Sequence, residues 1–425
     1  MQKKCLNSKI ALNIHKNENQ LKYKISTIQP KKIYIKKGTK KFTKVILAFF
    51  SAGLSTFAIL YCVQPILPLF SKTFHISPAQ SSLSLSSATS MMAIGMLFTG
   101  PLSDRLGRKN IMFSSLFLAA VCTILCSIMN SWQAVIIMRS ITGLALSGVI
   151  AVSMTYLSEE IDPNFLALAM GLYISGNTIG GCLGRFITSI LSSYFSWDIA
   201  LRVIGFSALI SSCFFLYLLP RSSNFKSSSL NIKKLLCEFL FQCKNPVLSK
   251  LFIMGFIMMG SFVTLFNYVG YRLMISPFFV SPATIGFLSF LYLIGVYSSP
   301  KAGILTEKYN KGIILIGALC LMICGLILTL FSELVIIFFG LMVFAGGFFA
   351  AHSIASSWIG HQAINSSKAQ ISSLYLFFYY LGSSVFGTCG GFFWYLGGWN
   401  SISLLIISTL LIGIILAIKL NNIET

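Results

Sequence analysis

The chain has 425 residues, 56% of them hydrophobic and only 10% charged, with a mean hydropathy of +0.82. Soluble domains carry roughly 25% charged residues, so a water-soluble fold of this size is excluded and the natural solvent is a bilayer. A net charge of +22 raises nucleic acid as a partner, but the distribution of that charge argues against it.

Residues 1–44 hold 13 Lys, one acid (Glu18) and no Arg. No apolar leader core precedes residue 45. Such a cytoplasmic tail either touches anionic lipid or is a solvated, disordered extension. From residue 45 onward, apolar runs bounded by charge, Gly/Pro or Asn/Ser predict twelve spans. They fall near 45–70, 80–101, 110–129, 132–157, 165–192, 198–220, 247–273, 280–300, 312–331, 334–358, 370–396 and 399–419. Each meets the roughly 20 residues a helix needs to cross hydrocarbon. Trp132, Trp197 and Trp399 sit at predicted span ends, where indole favours the interface. Pro65 and Pro68 are placed to bend the first span. The longest internal polar break, 221–246, reads as a cytoplasmic linker between bundles at 45–220 and 247–425. Within it, LNIKKLLCEFLF has the pattern of an amphipathic helix lying on the inner leaflet.

An even number of spans puts both termini on one side. With the termini inside, the cytoplasmic segments hold 13 Lys in 1–44, three basic residues in 102–109, six in 221–250 and three in 301–311. Adding Lys368 and Lys419 makes 27 of the 32. The positive-inside rule therefore fixes the orientation and explains the +22 without nucleic acid.

The most charged internal stretch beside hydrocarbon is GPLSDRLGRKN, 100–110. It has an echo at GILTEKYNKG, 303–312, offset by 203 residues. Gly303 matches Gly100, Leu305 matches Leu102, Glu307 matches Asp104, Lys308 matches Arg105 and Lys311 matches Arg108, while Asn310 replaces Gly107. VII, LY and SWDI/GWNS recur at nearly the same offset. Parallel repeats of six helices build two bundles related by an axis along the membrane normal, with the solute path between them.

Together these features make the chain resemble the major facilitator superfamily. The carriers are twelve spans in two halves, G-x-L-S-D-R-x-G-R-K between spans two and three, and a weaker copy between spans eight and nine. YCVQPILPLFS (61–71), MTYLSEEI (154–161), GLYISGNTIGG (171–181), SSPKAG (298–303) and SSLYLFFYYLGSSVFGT (372–388) further resemble its YnfM-type bacterial inner-membrane branch, associated with drug or sugar efflux. The resemblance runs from about residue 45 to the end. It implies the major facilitator fold: an all-α membrane protein with twelve transmembrane helices in two pseudo-symmetric six-helix bundles and both termini cytoplasmic. It also implies proton antiport.

In the motif, Gly100 is expected to end span two and admit another helix, and Asp104 to lie near the N-terminus of span three, where the helix dipole favours a carboxylate. Arg108 is one turn further on, within i,i+4 reach, with Glu159 and Glu160 as further partners. The resemblance implies that Asp104 faces the start of span eleven and latches the cytoplasmic side shut. Topology alone explains Arg105 and Lys109 but not Asp104 and Glu307. Gly100, Asp104, Arg105, Gly107, Arg108, Gly303, Glu307 and Lys311 thus form a candidate paired gate.

Arg139, in R-S-I-T-G, matches a family pattern whose Arg is associated with transport or proton transfer. Arg185, in the outer part of span five, is either a pathway residue or snorkels to the interface. Gly176, Gly180 and Gly184 share a helix face suited to close packing. With Gly181 they resemble the family's antiporter motif, though Asn177 stands where Pro is usual. Tyr61, Gln64, Asn267, Tyr268, Tyr271, Tyr375 and Tyr379 are candidate cavity-lining groups; the alternative is interhelical hydrogen bonding. Gln64 and Asn267 are also 203 residues apart. His352 is either a proton carrier or a hydrogen-bonding group. The serine-rich face of span two (Ser81, Ser82, Ser84, Ser86, Ser87, Ser90) suits a helix sliding on its neighbour.

Cys122/Cys126 and Cys320/Cys324 are apolar filler rather than metal ligands, since no His or acid accompanies them. There is no nucleotide-binding G-x-x-x-x-G-K-[ST] loop, and no convergent acid or metal cluster of an enzyme. The expected protein is a monomeric secondary transporter of the cell inner membrane. It needs no cofactor or metal and moves a small organic solute by alternating access, by proton-coupled efflux. A facilitator or importer without proton coupling is the alternative, followed by a non-transporting receptor or scaffold.

Overall fold

The computed structural model describes residues 34–225, 232–362 and 368–424; the Lys-rich segment 1–33 lies outside them. Helices dominate: α1 Lys40–Tyr61, α2 Leu67–Phe74, α3 Pro78–Leu106, α4 Arg108–Cys126, α5 Trp132–Glu160, α6 Pro163–Tyr194 and α7 Trp197–Leu218. The second half holds α8 Ile232–Lys244, α9 Pro246–Met274, α10 Pro282–Gly286, α11 Ile294–Lys308, α12 Lys311–Leu328, α13 Leu334–Gln362 and α14 Lys368–Glu424. Eleven helical segments among the described residues are long and apolar enough to cross a membrane.

Local chemistry sets the helix starts. α3, α6, α9 and α10 each open with a capping Ser, Asp or Asn followed by Pro. The cap side chain accepts a free N–H of the first turn, and Pro at N1 lacks the donor that would go unused. The first span is broken as its prolines predict. α1 stops at Tyr61, Gln64–Ile66 winds as a 3₁₀ turn, and α2 resumes at Leu67. Pro65 has no N–H to offer the Tyr61 carbonyl, so α-helical bonding lapses there. Spans eleven and twelve of the sequence reading fall in α14, whose backbone is non-helical at Gly397 and Gly398. The chain reverses there. A Cβ on Gly382 would meet Phe256, Gly413 packs on Ile257, and the Thr409 hydroxyl reaches Ser261, so both legs run along α9 at one level.

The break between α3 and α4 differs from the sequence expectation. α3 does not end at Gly100 but runs through Pro101 to Leu106. It stops at Gly107, whose φ of 92° and ψ of 140° lie in a region open almost only to Gly. Asp104 therefore sits in the last turn of α3, not at a helix N-terminus, and the favourable dipole argument fails. In the second copy the chain leaves α11 through an extended Tyr309, with no positive φ. Asn310 instead caps α12 by accepting from the Gly312 N–H at 2.8 Å, so Gly is not needed there.

The helix array has two ends. The motif end carries 100–109 and 303–312. The turn end carries the connections at 75–77, 127–131, 195–196, 275–281 and 397–398. Buried apolar side chains form two clusters. One joins the turn-end parts of α1–α7 (Ile59–Phe70, Leu85–Met96, Val135–Leu146) to most of α9–α14. The other is confined to the motif-end parts of α1–α7, with Phe49, Met112, Tyr156 and Phe215 at its heart. Ile210, Tyr217, Val296, Val335 and Leu404 are more than 60% exposed, a surface suited to lipid.

Candidate functional site

The two halves meet through polar contacts on the turn-end side. Gln64 Nε2 donates to Asn267 Oδ1 at 2.8 Å. The Ser71 and Tyr271 hydroxyls are 2.7 Å apart, and the Tyr271 hydroxyl donates to the Leu67 carbonyl at 2.9 Å. On one flank, α3 packs on the first leg of α14. The Thr89 and Ser384 hydroxyls are 2.7 Å apart, and a Cβ on Gly391 would collide with Ala79. On the other flank, α6 packs on 281–293. The Ser189 hydroxyl donates to the Pro282 carbonyl, Cys182 Sγ to the Ser289 carbonyl at 3.0 Å, and Phe186 lies against Phe287 and Phe290.

Gln64 and Asn267 are separated by the repeat offset. Two positions related by a two-fold axis can touch only where that axis passes, so their hydrogen bond marks the pseudo-axis. Arg185 joins them there. Its Nε donates to Gln64 Oε1 at 2.6 Å and its Nη1 to the Gly181 carbonyl at 2.8 Å. The guanidinium lies 4.1 Å from the Tyr61 ring centroid and 4.7 Å from that of Tyr292. Arg185 is 7% exposed and turns into the protein; it does not snorkel. A cavity of about 30 Å³ adjoins it, lined by Gln64, Arg185, Phe266, Ser289 and Tyr292 among others. Tyr292 carried no sequence signal beyond being an aromatic in an apolar run.

Arg139 is 1% exposed and has a different use. Nε donates to the Ser84 carbonyl at 2.9 Å, Nη1 to Ile59 at 3.0 Å and Nη2 to Leu60 at 2.7 Å. The break in the first span leaves the last carbonyls of α1 without helical donors, and Arg139 supplies them. Gly176, Gly180 and Gly184 press against the backbone of Phe50, Leu54 and Ala58 on α1. Gly181 points elsewhere: a Cβ there would lie 3.2 Å from Arg185 Nη1. His352 Nδ1 is 2.8 Å from the Tyr375 hydroxyl, and its ring packs on Phe348 and Tyr379. These groups belong to the second half and are linked to the rings around Arg185 through Phe348, which packs on Phe262 and Phe349 beside Tyr292.

The motif end is organised within the first half. Arg108 Nη1 is 2.5 Å from Asp104 Oδ1 and from Ser103 Oγ. Its Nε and Nη2 donate to the two oxygens of Glu159 at 3.2 and 2.8 Å. This cation offsets the unfavourable place of Asp104 at a helix C-terminus. Glu160 does not serve Arg108. Its Oε1 accepts from the Ser222 hydroxyl at 2.6 Å and the Asn224 N–H at 2.7 Å, which ties down the start of the linker. Lys109 donates to the Leu219 carbonyl at 2.5 Å, and Arg105 is exposed. Among the described residues none of the bonds of Asp104, Arg108, Glu159 or Glu160 reaches the second half. A Cβ on Gly100, Gly107 or Gly303 would meet nothing within 4 Å. In the second copy Glu307 is exposed and Lys311 lies 5.9 Å from the Trp358 ring. Among the described residues no group of three His, Cys, Asp or Glu is placed to hold a metal.

Residues 45–387 match the family model described as Major Facilitator Superfamily. The chain is 61% identical over 389 residues to an uncharacterized transporter of Buchnera aphidicola subsp. Baizongia pistaciae, covering 92% of this chain and 96% of that one. It is 54% identical over 399 residues to the inner membrane transport protein YnfM of Escherichia coli K12, covering 94% and 95%. Its fold is similar to that of a bacterial homolog of the human lysosomal transporter Spinster, solved inward-facing and unoccupied. The TM-score is 0.70 at 16% identity, over 91% of this chain and 98% of that one. The chain belongs to the major facilitator superfamily and is a multi-pass membrane transporter of that type.

Proposed function

We propose that the protein is a monomeric secondary transporter of the inner membrane. It has twelve spans and both termini in the cytoplasm, and moves a small organic solute by alternating access. The observation that carries this reading is the one-sided seal. Polar and aromatic contacts between halves gather toward the turn end, while among the described residues Asp104 and Arg108 at the other end bond within the first half. The basic segments assign the motif end to the cytoplasm, so the conformation is inward-open. In the opposite state Asp104 would dock on the second half and close that end.

We propose efflux by proton antiport as the direction, supported by the resemblance of 154–181 and the motif to the efflux branch. A second reading, facilitation without protons, has its own support. All ten acids, Glu18, Asp104, Glu159, Glu160, Asp162, Asp198, Glu238, Glu307, Glu333 and Glu424, lie at helix ends or outside the spans. That leaves His352, hydrogen-bonded to Tyr375, as the deep proton carrier. Purified protein in proteoliposomes should move solute faster with an imposed ΔpH. Flux indifferent to the gradient would remove antiport and leave the facilitator.

A further inference from the structure

Resting on the transport reading, we infer that Arg185 is the recognition site for an anionic head group. The solute is then a small organic carboxylate with an apolar or aromatic body. Three independent observations converge on this. First, the cation is uncompensated. Arg108 has two carboxylates, Arg202 pairs with Asp198, and Arg139 and Arg272 spend their donors on backbone carbonyls. Among the described residues Arg185 has no carboxylate partner and meets the Gln64 amide, the Gly181 carbonyl and two rings. Among the described residues its Nη2 has no protein acceptor, although the residue is 7% exposed. A guanidinium in a low-dielectric interior is costly without a counter-charge.

Second, Arg185 borders space. The cavity beside it is about 30 Å³, room for one or two waters and comparable to a carboxylate head. Gln64 Oε1, at 2.6 Å from Nε, already occupies one tine of the fork as a neutral stand-in. A carboxylate accepts both tines of such a fork and strengthens the bond by its charge. Third, the surroundings are ring-rich and contain no acid. Tyr61, Phe266 and Tyr292 line or cover the head-group site, and Tyr292 continues to Phe262 and Phe349. A cation would find no negative charge there.

The position also suits a transport cycle. Arg185 bonds to Gln64, and Gln64 bonds across the pseudo-axis to Asn267. An anion seated on Arg185 would therefore touch the contact that joins the two halves.

The test uses the full-length protein in detergent and in proteoliposomes. The probes are benzoate, phenylacetate and hexanoate, with benzamide as the neutral isostere, benzylamine as the cation and inorganic phosphate as an anion without a body. At least one carboxylate should raise the thermal midpoint and drive counterflow, with benzamide, benzylamine and phosphate at least tenfold weaker. Arg185→Gln should abolish the preference for carboxylate over amide, and Arg185→Lys should retain a weakened preference. If Arg185→Gln is poorly folded, the Arg185→Lys preference and the wild-type benzoate-to-benzamide ratio still decide. A benzoate-to-benzamide ratio near one, or carboxylate preference intact in Arg185→Gln, overturns the assignment. Movement of benzylamine or benzamide but of none of the carboxylates overturns it while sparing the transport reading. No counterflow of any probe by folded wild-type protein overturns both.

Discussion

Arg139 and Arg185 are both more than nine-tenths buried, yet their neighbours have given them different work. Arg139 satisfies two backbone carbonyls left by the proline break in the first span, Ile59 and Leu60, and a third on α3, Ser84. Hydrogen bonds to charged groups contribute about 1.5–3 kcal/mol each before desolvation is counted. Arg139→Gln should lower the stability of the purified protein by about 2–4 kcal/mol, read as a large fall in thermal midpoint, with Arg139→Lys recovering only part of it. An unchanged midpoint would contradict the capping role. Proximity to a repeat position was legible for Gln64 and Asn267, because their spacing equals the offset of the motif copies. The partner of Arg185 was not legible, because no local pattern says which face of α6 turns toward α1.

At the scale of the element, the Gly stripe on α6 shows how close packing is written in sequence. Gly176, Gly180 and Gly184 recur every four residues, and each brings α6 onto the α1 backbone. Gly180→Ala places a methyl inside contact distance of the Leu54 carbonyl and should cost about 1–3 kcal/mol. Gly171→Ala, where a Cβ meets nothing within 4 Å, should be neutral. The folded fraction on size exclusion compares the two; equal yields would argue against the stripe as a packing face. The motif shows the reverse case. Gly107 demands Gly by its positive φ, whereas Asn310 in the echo is a helix cap. What reads as a lost Gly is a different way of turning the same corner.

At the scale of the molecule, the prediction concerns which end is closed. The Thr89 and Ser384 hydroxyls, 2.7 Å apart, sit in the seal between halves. The double variant T89C/S384C should form a disulfide under a membrane-permeant oxidant and arrest flux, with reductant restoring it. Asp104→Asn should raise the crosslinking yield, because weakening the opposite latch shifts the population toward this state. The Arg108–Glu159 pair should still hold the fold, since it does not involve Asp104. No crosslink, or a yield indifferent to Asp104, would argue against the two-gate cycle.

Membrane residence, approximate span limits, the internal repeat and the sidedness of charge are properties of the chain itself. Hydrophobicity and charge act through the solvent, and each run meets lipid or water whatever its neighbours do. The family motif was legible for the same local reason, as was the Asp104–Arg108 pair, four residues apart. The choice of Glu159 over Glu160 for Arg108, the burial of Arg185, and the end at which the halves meet were decided only in three dimensions. They depend on the rotation of each helix about its axis and on contacts between positions far apart in sequence, which a one-dimensional pattern does not carry.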